Sequence, residues 1–167
     1  TAYGNSTFVT VGCNGTVLTS PNAISWAQSS TPSYCDLYSV TYGNGYFVTT
    51  GQYDGGSSTN IFTSADGITW AAQTTPINDE LTAVTYGGTK YVAVGLNGTI
   101  VYATESNNWV SAVDSGNIAE QLAAVIYADN KYIALARTGG IILNSNDADS
   151  WSSVSTSNVN LMYGLAY

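Results

Sequence analysis

The 167-residue chain contains no histidine, two cysteines, three prolines and one methionine. Without histidine there is no Ser-His-Asp triad, no imidazole to activate a thiol and no zinc-histidine centre. Two cysteines cannot complete a thiolate zinc site either. Charged residues make up only 8% of the chain, against roughly 25% in ordinary soluble domains. Three Lys and Arg stand against eleven Asp and Glu, for a net charge of −8. Such a surface has no attraction for nucleic acid or for an anionic membrane. No apolar run approaches the roughly 20 residues of a membrane helix. No signal peptide is present, so the chain reads as a mature or excised piece.

What is abundant is aromatic and hydroxylic. Hydrophobic residues are 44% of the chain and aromatics 12%, including thirteen tyrosines and four tryptophans. Ser, Thr, Asn and Gly replace charge as the polar surface, a usage that fits an extracellular or cell-surface protein. The aromatics are periodic. Tyr3, Tyr42, Tyr86, Tyr127 and Tyr167 follow one another at steps of 39, 44, 41 and 40 residues. Trp26, Trp70, Trp109 and Trp151 keep phase with them, at steps of 44, 39 and 42. A third marker, FVTVG (8–12), FVTTG (47–51), YVAVG (91–95) and YIALA (132–136), recurs in the same register. Markers in a common phase mean four copies of one unit.

Each copy carries four short segments rich in Val, Ile, Thr and aromatics, separated by turn residues. In the second copy these are roughly 37–42, 46–51, 59–65 and 68–73. Asn14-Gly15, Gly43-Asn44-Gly45, Asn97-Gly98 and Gly139-Gly140 sit where tight turns require positive φ. No window has helical periodicity. Four strands in about 40–45 residues is the pattern of a β-propeller blade. The expected fold is therefore all-β, a single four-bladed propeller over 1–167 with four-stranded antiparallel blades. The blades fall near 161–167 with 1–28, then 37–73, 81–112 and 122–155. The first blade lacks most of its inner strand, and residues 161–167 resemble Leu37 to Tyr42 and Leu81 to Tyr86. That similarity predicts closure of the ring by pairing of the C-terminal strand with the N-terminal blade. The same complementarity acting between chains would give a larger ring or a filament.

Propeller topology puts the second-to-third-strand turns and the blade-to-blade connections at one end. Cys13 and Cys35 fall on such segments, which predicts a disulfide between them. Between Gly51 and Ile61 lie nine residues, Gln52 to Asn60, where the other copies have four. A loop that departs from the repeat is a natural place for function. Tyr53 and Asp54 in this insertion, with Tyr34 on a loop at the same end, are the candidate ligand-binding residues.

The segment Ser64-Ala65-Asp66-Gly67-Ile68-Thr69-Trp70 resembles the Asp-box of bacterial neuraminidase-type repeats, with one residue fewer between Asp and Gly. Ser20 to Trp26 and Asn146 to Trp151 look like degraded copies, and the third unit keeps only Trp109. Together with the run VAVG-x-NGTI, the chain is similar to secreted Asp-box and photosystem-assembly-factor-type propellers. The resemblance implies a fold rather than an activity. In the box, Asp accepts backbone N–H groups, Gly takes positive φ and Trp packs on the neighbouring blade. A sialidase, the first enzyme the resemblance implies, grips its substrate with three arginines; this chain has only Arg137.

Glycosidases of other kinds need two carboxylates facing across a pocket. Asp79 and Glu80 are neighbours that point apart, and Glu105 and Glu120 are isolated. Asp147 and Asp149 form a weak calcium candidate, short of a full loop of oxygen ligands, as does Asp54-Gly55-Gly56. No cofactor is implied. Asn5, Asn14 and Asn97 match glycosylation sequons, though the latter two already serve hairpin turns. The reading that follows is a non-catalytic extracellular binding or adhesion propeller for a glycan or protein ligand. The alternative is a structural subunit that self-assembles into a filament or surface array.

Overall fold

Sixteen strands and one short 3-10 turn make up the regular structure in a computed structural model that describes residues 1–52, 60–113, 118–156 and 161–166. They form four antiparallel sheets of four strands each. The first is β1 (Ala2–Gly4), β2 (Thr7–Val11), β3 (Thr16–Ser20) and β4 (Ala27–Ser30). The second is β5 (Leu37–Gly43), β6 (Tyr46–Gly51), β7 (Ile61–Ser64) and β8 (Ala71–Gln73). The third is β9 (Leu81–Gly87), β10 (Lys90–Gly95), β11 (Ile100–Ala103) and β12 (Val110–Ser111). The fourth is β13 (Leu122–Ala128), β14 (Lys131–Ala136), β15 (Ile141–Ser145) and β16 (Ser152–Ser155). Each sheet is a simple up-and-down meander. The protein is an all-β, four-bladed propeller.

The second strands of the second and third blades are flanked by sheets on both faces, so their alternation is apolar on both sides. In β6, five consecutive residues from Phe47 to Gly51 are buried. One face of the second, third and fourth blades packs on the preceding blade. Phe47, Phe62 and Trp70 face Val9 and Val17 of the first sheet. Tyr91, Val101 and Trp109 face Val48 and Ile61. Tyr132, Leu143 and Trp151 face Val92 and Ile100. Near the axis the inner-strand tyrosine lies flat on the preceding blade's glycine. A Cβ added to Gly4, Gly43 or Gly87 would lie 2.0 to 2.3 Å from the ring of Tyr42, Tyr86 or Tyr127. Glycine is required there because the ring occupies the space of any side chain.

The outermost strands begin later than the pattern implies, at Ala27, Ala71 and Ser152. The preceding seven residues close an Asx turn instead. In the second blade, Asp66 Oδ1 accepts the N–H groups of Ile68 and Thr69 at 2.8 Å each, Ser64 Oγ accepts from Gly67 N, and Trp70 Nε1 donates to Gly67 O. Gly67 has φ +76°, the left-handed conformation the turn demands. Ser145, Asp147, Ala148 and Trp151 repeat every one of these bonds. Asn22 Oδ1 likewise accepts the N–H groups of Ile24 and Ser25, and Ser20 Oγ accepts the N–H of Asn22. The segments that look degraded in sequence thus keep the turn intact.

Two expectations are corrected. Residues 161–166 form no strand, and the inner strand of the first blade is β1 itself, paired with β2 through Tyr3 opposite Phe8. The tail instead begins beside the fourth blade, where Met162 N–H donates to Arg137 O at 2.9 Å. This follows the rule set by Leu37, whose N–H reaches back to Gly12 O of the blade before it. An inner strand starts on the blade it follows, and here that blade is the fourth. The first blade's slot is moreover already taken by Tyr3. The inner strands accordingly stand in a row: β1 packs on β5, β5 on β9 and β9 on β13. Among the described residues, β13 makes no comparable contact with β1, and three apolar cores join the four blades.

The second correction concerns the cysteines. Their segments do meet, since Gly15 N–H donates to Cys35 O at 2.8 Å. No disulfide joins them. Cys35 is turned into the core with Leu37 and Trp70, whereas Cys13 points to solvent.

Candidate functional site

The two ends of the propeller differ in chemistry. At one end lie the first-to-second-strand hairpins and the Asx turns. At the other, the second-to-third-strand turns are tied to the blade connections. Leu96 N–H donates to Glu80 O, Gln52 N–H to Asp36 O and Arg137 N–H to Gln121 O, the same bond in three blades. This second end collects the acids that precede the inner strands and several exposed tyrosines, and it is the candidate binding face.

Some of its acids are structural. Asp36 Oδ1 accepts the N–H of Asn14 at 2.9 Å. Asp79 accepts from Asn97 Nδ2 at 3.2 Å and from Thr99 Oγ1 at 2.7 Å, locking one turn of the third blade to the connection before it. Tyr38 is the second residue of β5 and is exposed. Its phenol is held above the ordinary value by partial burial, then by the charges of Glu80 and Asp36 and by a hydrogen bond to Glu80. Tyr38 and Glu80 therefore bridge the second and third blades. Tyr34 projects from the connection before Cys35 and is 88% exposed. On the fourth blade the Arg137 guanidinium lies 5.3 Å from the centre of the exposed Tyr163 ring and donates to Gln121 Oε1. A shallow hollow of about 190 Å³ at this end is lined by Ile77, Asn97, Thr99 and Ala112 among others. The arrangement offers aromatic faces and carboxylates to a ligand, with Arg137 as a cation.

The sequence placed Tyr34 at this end, and it is there. Tyr53 and Asp54 lie outside the described residues. The base of their insertion is described: Gly51 N–H donates to Asn60 O, and the Asn60 side chain donates to Asp79 O. Gln52 and Asn60, which flank it, thus lie at the same end as Tyr34 and Tyr38. Reasoning from sequence missed Tyr38, Glu80 and the stacking of Arg137 on Tyr163. The signal for Tyr38 was present, since Thr82 and Ala123 stand at its place in the next two blades.

The calcium candidate is bound up in the fold. Asp147 Oδ1 accepts the N–H groups of Asp149 and Ser150, which hold its carboxyl below the ordinary value. Asp149 Oδ1 accepts Val113 N–H at 3.0 Å from the third blade, and its other partner there is the Tyr102 phenol. Lys90 Nζ sits 4.4 Å from the Tyr102 ring and donates to Asp147 O. These groups join two blades. Among the described residues, no group of three or more Cys, Asp or Glu has metal-holding geometry. Asn5, Asn14 and Asn97 all have φ between 45° and 54°, in keeping with their turns.

The fold and its two ends define a β-propeller, and comparison with solved structures agrees. The chain is similar to a structure described as YCF48 bound to D1 peptide, with TM-score 0.70 and 13% identity, covering 98% of this chain and 55% of that one. It is similar to YCF48 from Cyanidioschyzon merolae, with TM-score 0.69, 17% identity and coverages of 97% and 56%. It is also similar to virginiamycin B lyase from Staphylococcus aureus, with TM-score 0.76, 12% identity and coverages of 93% and 57%. The chain thus spans about half the length of the structures it matches. No protein-family model matches the sequence, and no curated protein matches it.

Proposed function

We propose that this propeller is a non-catalytic binding module and that its ligand is an extended, basic polypeptide segment held at the end that carries Tyr34, Tyr38 and Glu80. The observation that carries this reading is the Tyr38–Glu80 pair, an exposed ring beside a carboxylate at the entry to the next blade. Aromatic faces beside carboxylates attract Lys and Arg side chains through both cation–π contact and charge. The net charge of −8 favours the same ligand at long range. That a propeller of this shape is described with a bound peptide supports a protein ligand. The low-charge, hydroxyl-rich surface supports a place outside the cell or on its surface. Tyr53 and Asp54 belong to the same proposal, because Gln52 and Asn60, which flank their insertion, lie at this end.

A peptide array run beside a glycan array tests the reading. Basic peptides are expected to bind, more weakly as salt rises. Tyr38→Ala and Glu80→Gln are each expected to weaken binding by about tenfold. Binding confined to glycans, or binding that both substitutions leave unchanged, would overturn it.

A further inference from the structure

Among the described residues, two faces are left without a neighbour, and they are the two halves of a junction already built three times in this chain. Strand pairing fixes the correspondence. Phe8 lies opposite Ser20 as Phe47 lies opposite Ser64 and Tyr91 opposite Ala103, and Thr10 lies opposite Leu18 as Thr49 lies opposite Phe62. Phe8, Leu18 and Trp26 of the first blade therefore occupy the places of Phe47, Phe62 and Trp70. Those three are buried in the second blade, as are Tyr91, Val101 and Trp109 in the third and Tyr132, Leu143 and Trp151 in the fourth. Phe8 and Leu18 are only half-buried, and Trp26 is 40% exposed against 7%, 6% and 4% for its counterparts. On the fourth blade, Ile133 and Ile142 hold the places of Val48 and Ile61, or of Val92 and Ile100. All four of those are buried, and both isoleucines are only half-buried.

We infer that the first blade of one copy docks on the fourth blade of a second copy, Trp26, Phe8 and Leu18 against Ile133 and Ile142, and that the second copy returns the same contact, closing a two-chain ring of eight blades. The occupant of each face is a second copy because the missing counterpart is the chain's own opposite face. Three working junctions in the same chain show that these residue types fit one another. The tail agrees. β1 has three residues where β5, β9 and β13 have seven. Met162 to Leu165 match the four positions that β1 lacks, and they start at the fourth blade, on which the partner's β1 would land. Each copy would so complete the innermost strand of the other. One contact departs from the pattern: Ala128 stands where Gly4, Gly43 and Gly87 receive a tyrosine ring, so the partner's Tyr3 sits farther from the backbone there. A head-to-tail interface of this kind closes only if its rotation does; otherwise it grows into a filament.

Native mass spectrometry and light scattering at high micromolar concentration read the outcome. A particle of twice 17.5 kDa is expected. Trp26→Glu and, independently, Ile133→Arg are each expected to raise the dimer dissociation constant about a hundredfold with the β-sheet circular dichroism retained, since each puts a charge into an apolar junction. Mixing the two variants restores one intact junction, so a heterodimer is expected where neither variant dimerises alone. A monomer for the unaltered chain, an open filament, or a dimer indifferent to both substitutions would overturn the inference. Failure of the mixture to pair would do so too, because it would mean that like faces meet.

Discussion

Trp26 and Trp70 follow the same seven-residue turn and have different fates. Asn22 and Asp66 each accept two backbone N–H groups at the same positions, so the local turn is equivalent in both blades. Trp70 is nevertheless buried and Trp26 is 40% exposed. The difference is the blade in front: Trp70 has Val9 and Val17 to cover it, and among the described residues no blade covers Trp26 in the same way. The turn belongs to short-range sequence, the burial to the neighbour. A repeat protein is stabilised largely at the junctions between its units, and the first blade has one junction where the second and third have two.

The largest expected break in this comparison is at the tryptophans. In the dissociated chain, Trp70→Ala should cost about 3–5 kcal/mol, the range for a buried aromatic. Trp26→Ala should cost roughly 1 kcal/mol or less, because its ring already meets water. Urea unfolding of both variants reads the difference; equal costs would mean that the first blade is covered as fully as the second. Next is the glycine beside the axis. Gly43→Ala drives a methyl into the Tyr86 ring and should cost about 1–3 kcal/mol or more, as overpacking does. Gly12→Ala, with open space around its Cβ, should lie within about 0.5 kcal/mol of zero. The smallest effect is electrostatic. Backbone N–H groups of Thr69 and Ile68 hold the Asp66 carboxyl at about 2, below its ordinary 3.8. A depressed folded-state value stabilises the fold above pH 3.8, and that contribution is lost as pH falls from there through about 2. Asp66→Asn should abolish this acid dependence while leaving the turn closed, as Asn22 does in the first blade. Unfolding curves between those pH values check it. An unchanged acid slope would assign the dependence to another carboxylate.

Much of the fold was legible because its markers are short-range and periodic. The tyrosine near the end of an inner strand and the tryptophan before an outer strand each report one blade, wherever the blade sits. The start of the outer strands was misplaced because Ser, Asp and Gly before the Trp bind backbone N–H groups that a strand would otherwise pair, and a strand propensity scale does not count those bonds. Tyr34 was legible as an exposed loop residue. Tyr38 was not, since its position in an inner strand reads as core until the acids of the next connection are seen beside it. Cys13 and Cys35 were rightly placed on adjoining segments, yet adjacency of backbones does not set the direction of side chains. Cys35 finds a better place among Leu37 and Trp70 than beside an exposed thiol.

By itself, the order of residues determined the unit, the number of its copies, the turn that ends each one and the absence of histidine chemistry. These depend on contacts within a blade, where partners are a few residues apart. Only the tertiary structure decided how the units meet. The thickness of Trp, Tyr and Val between two sheets sets the angle from blade to blade, and that angle, repeated three times, leaves the tail on the fourth blade and the first blade's tryptophan in the open. A sequence period counts units along a line; whether the line bends far enough to return to its start is a property of packed volumes.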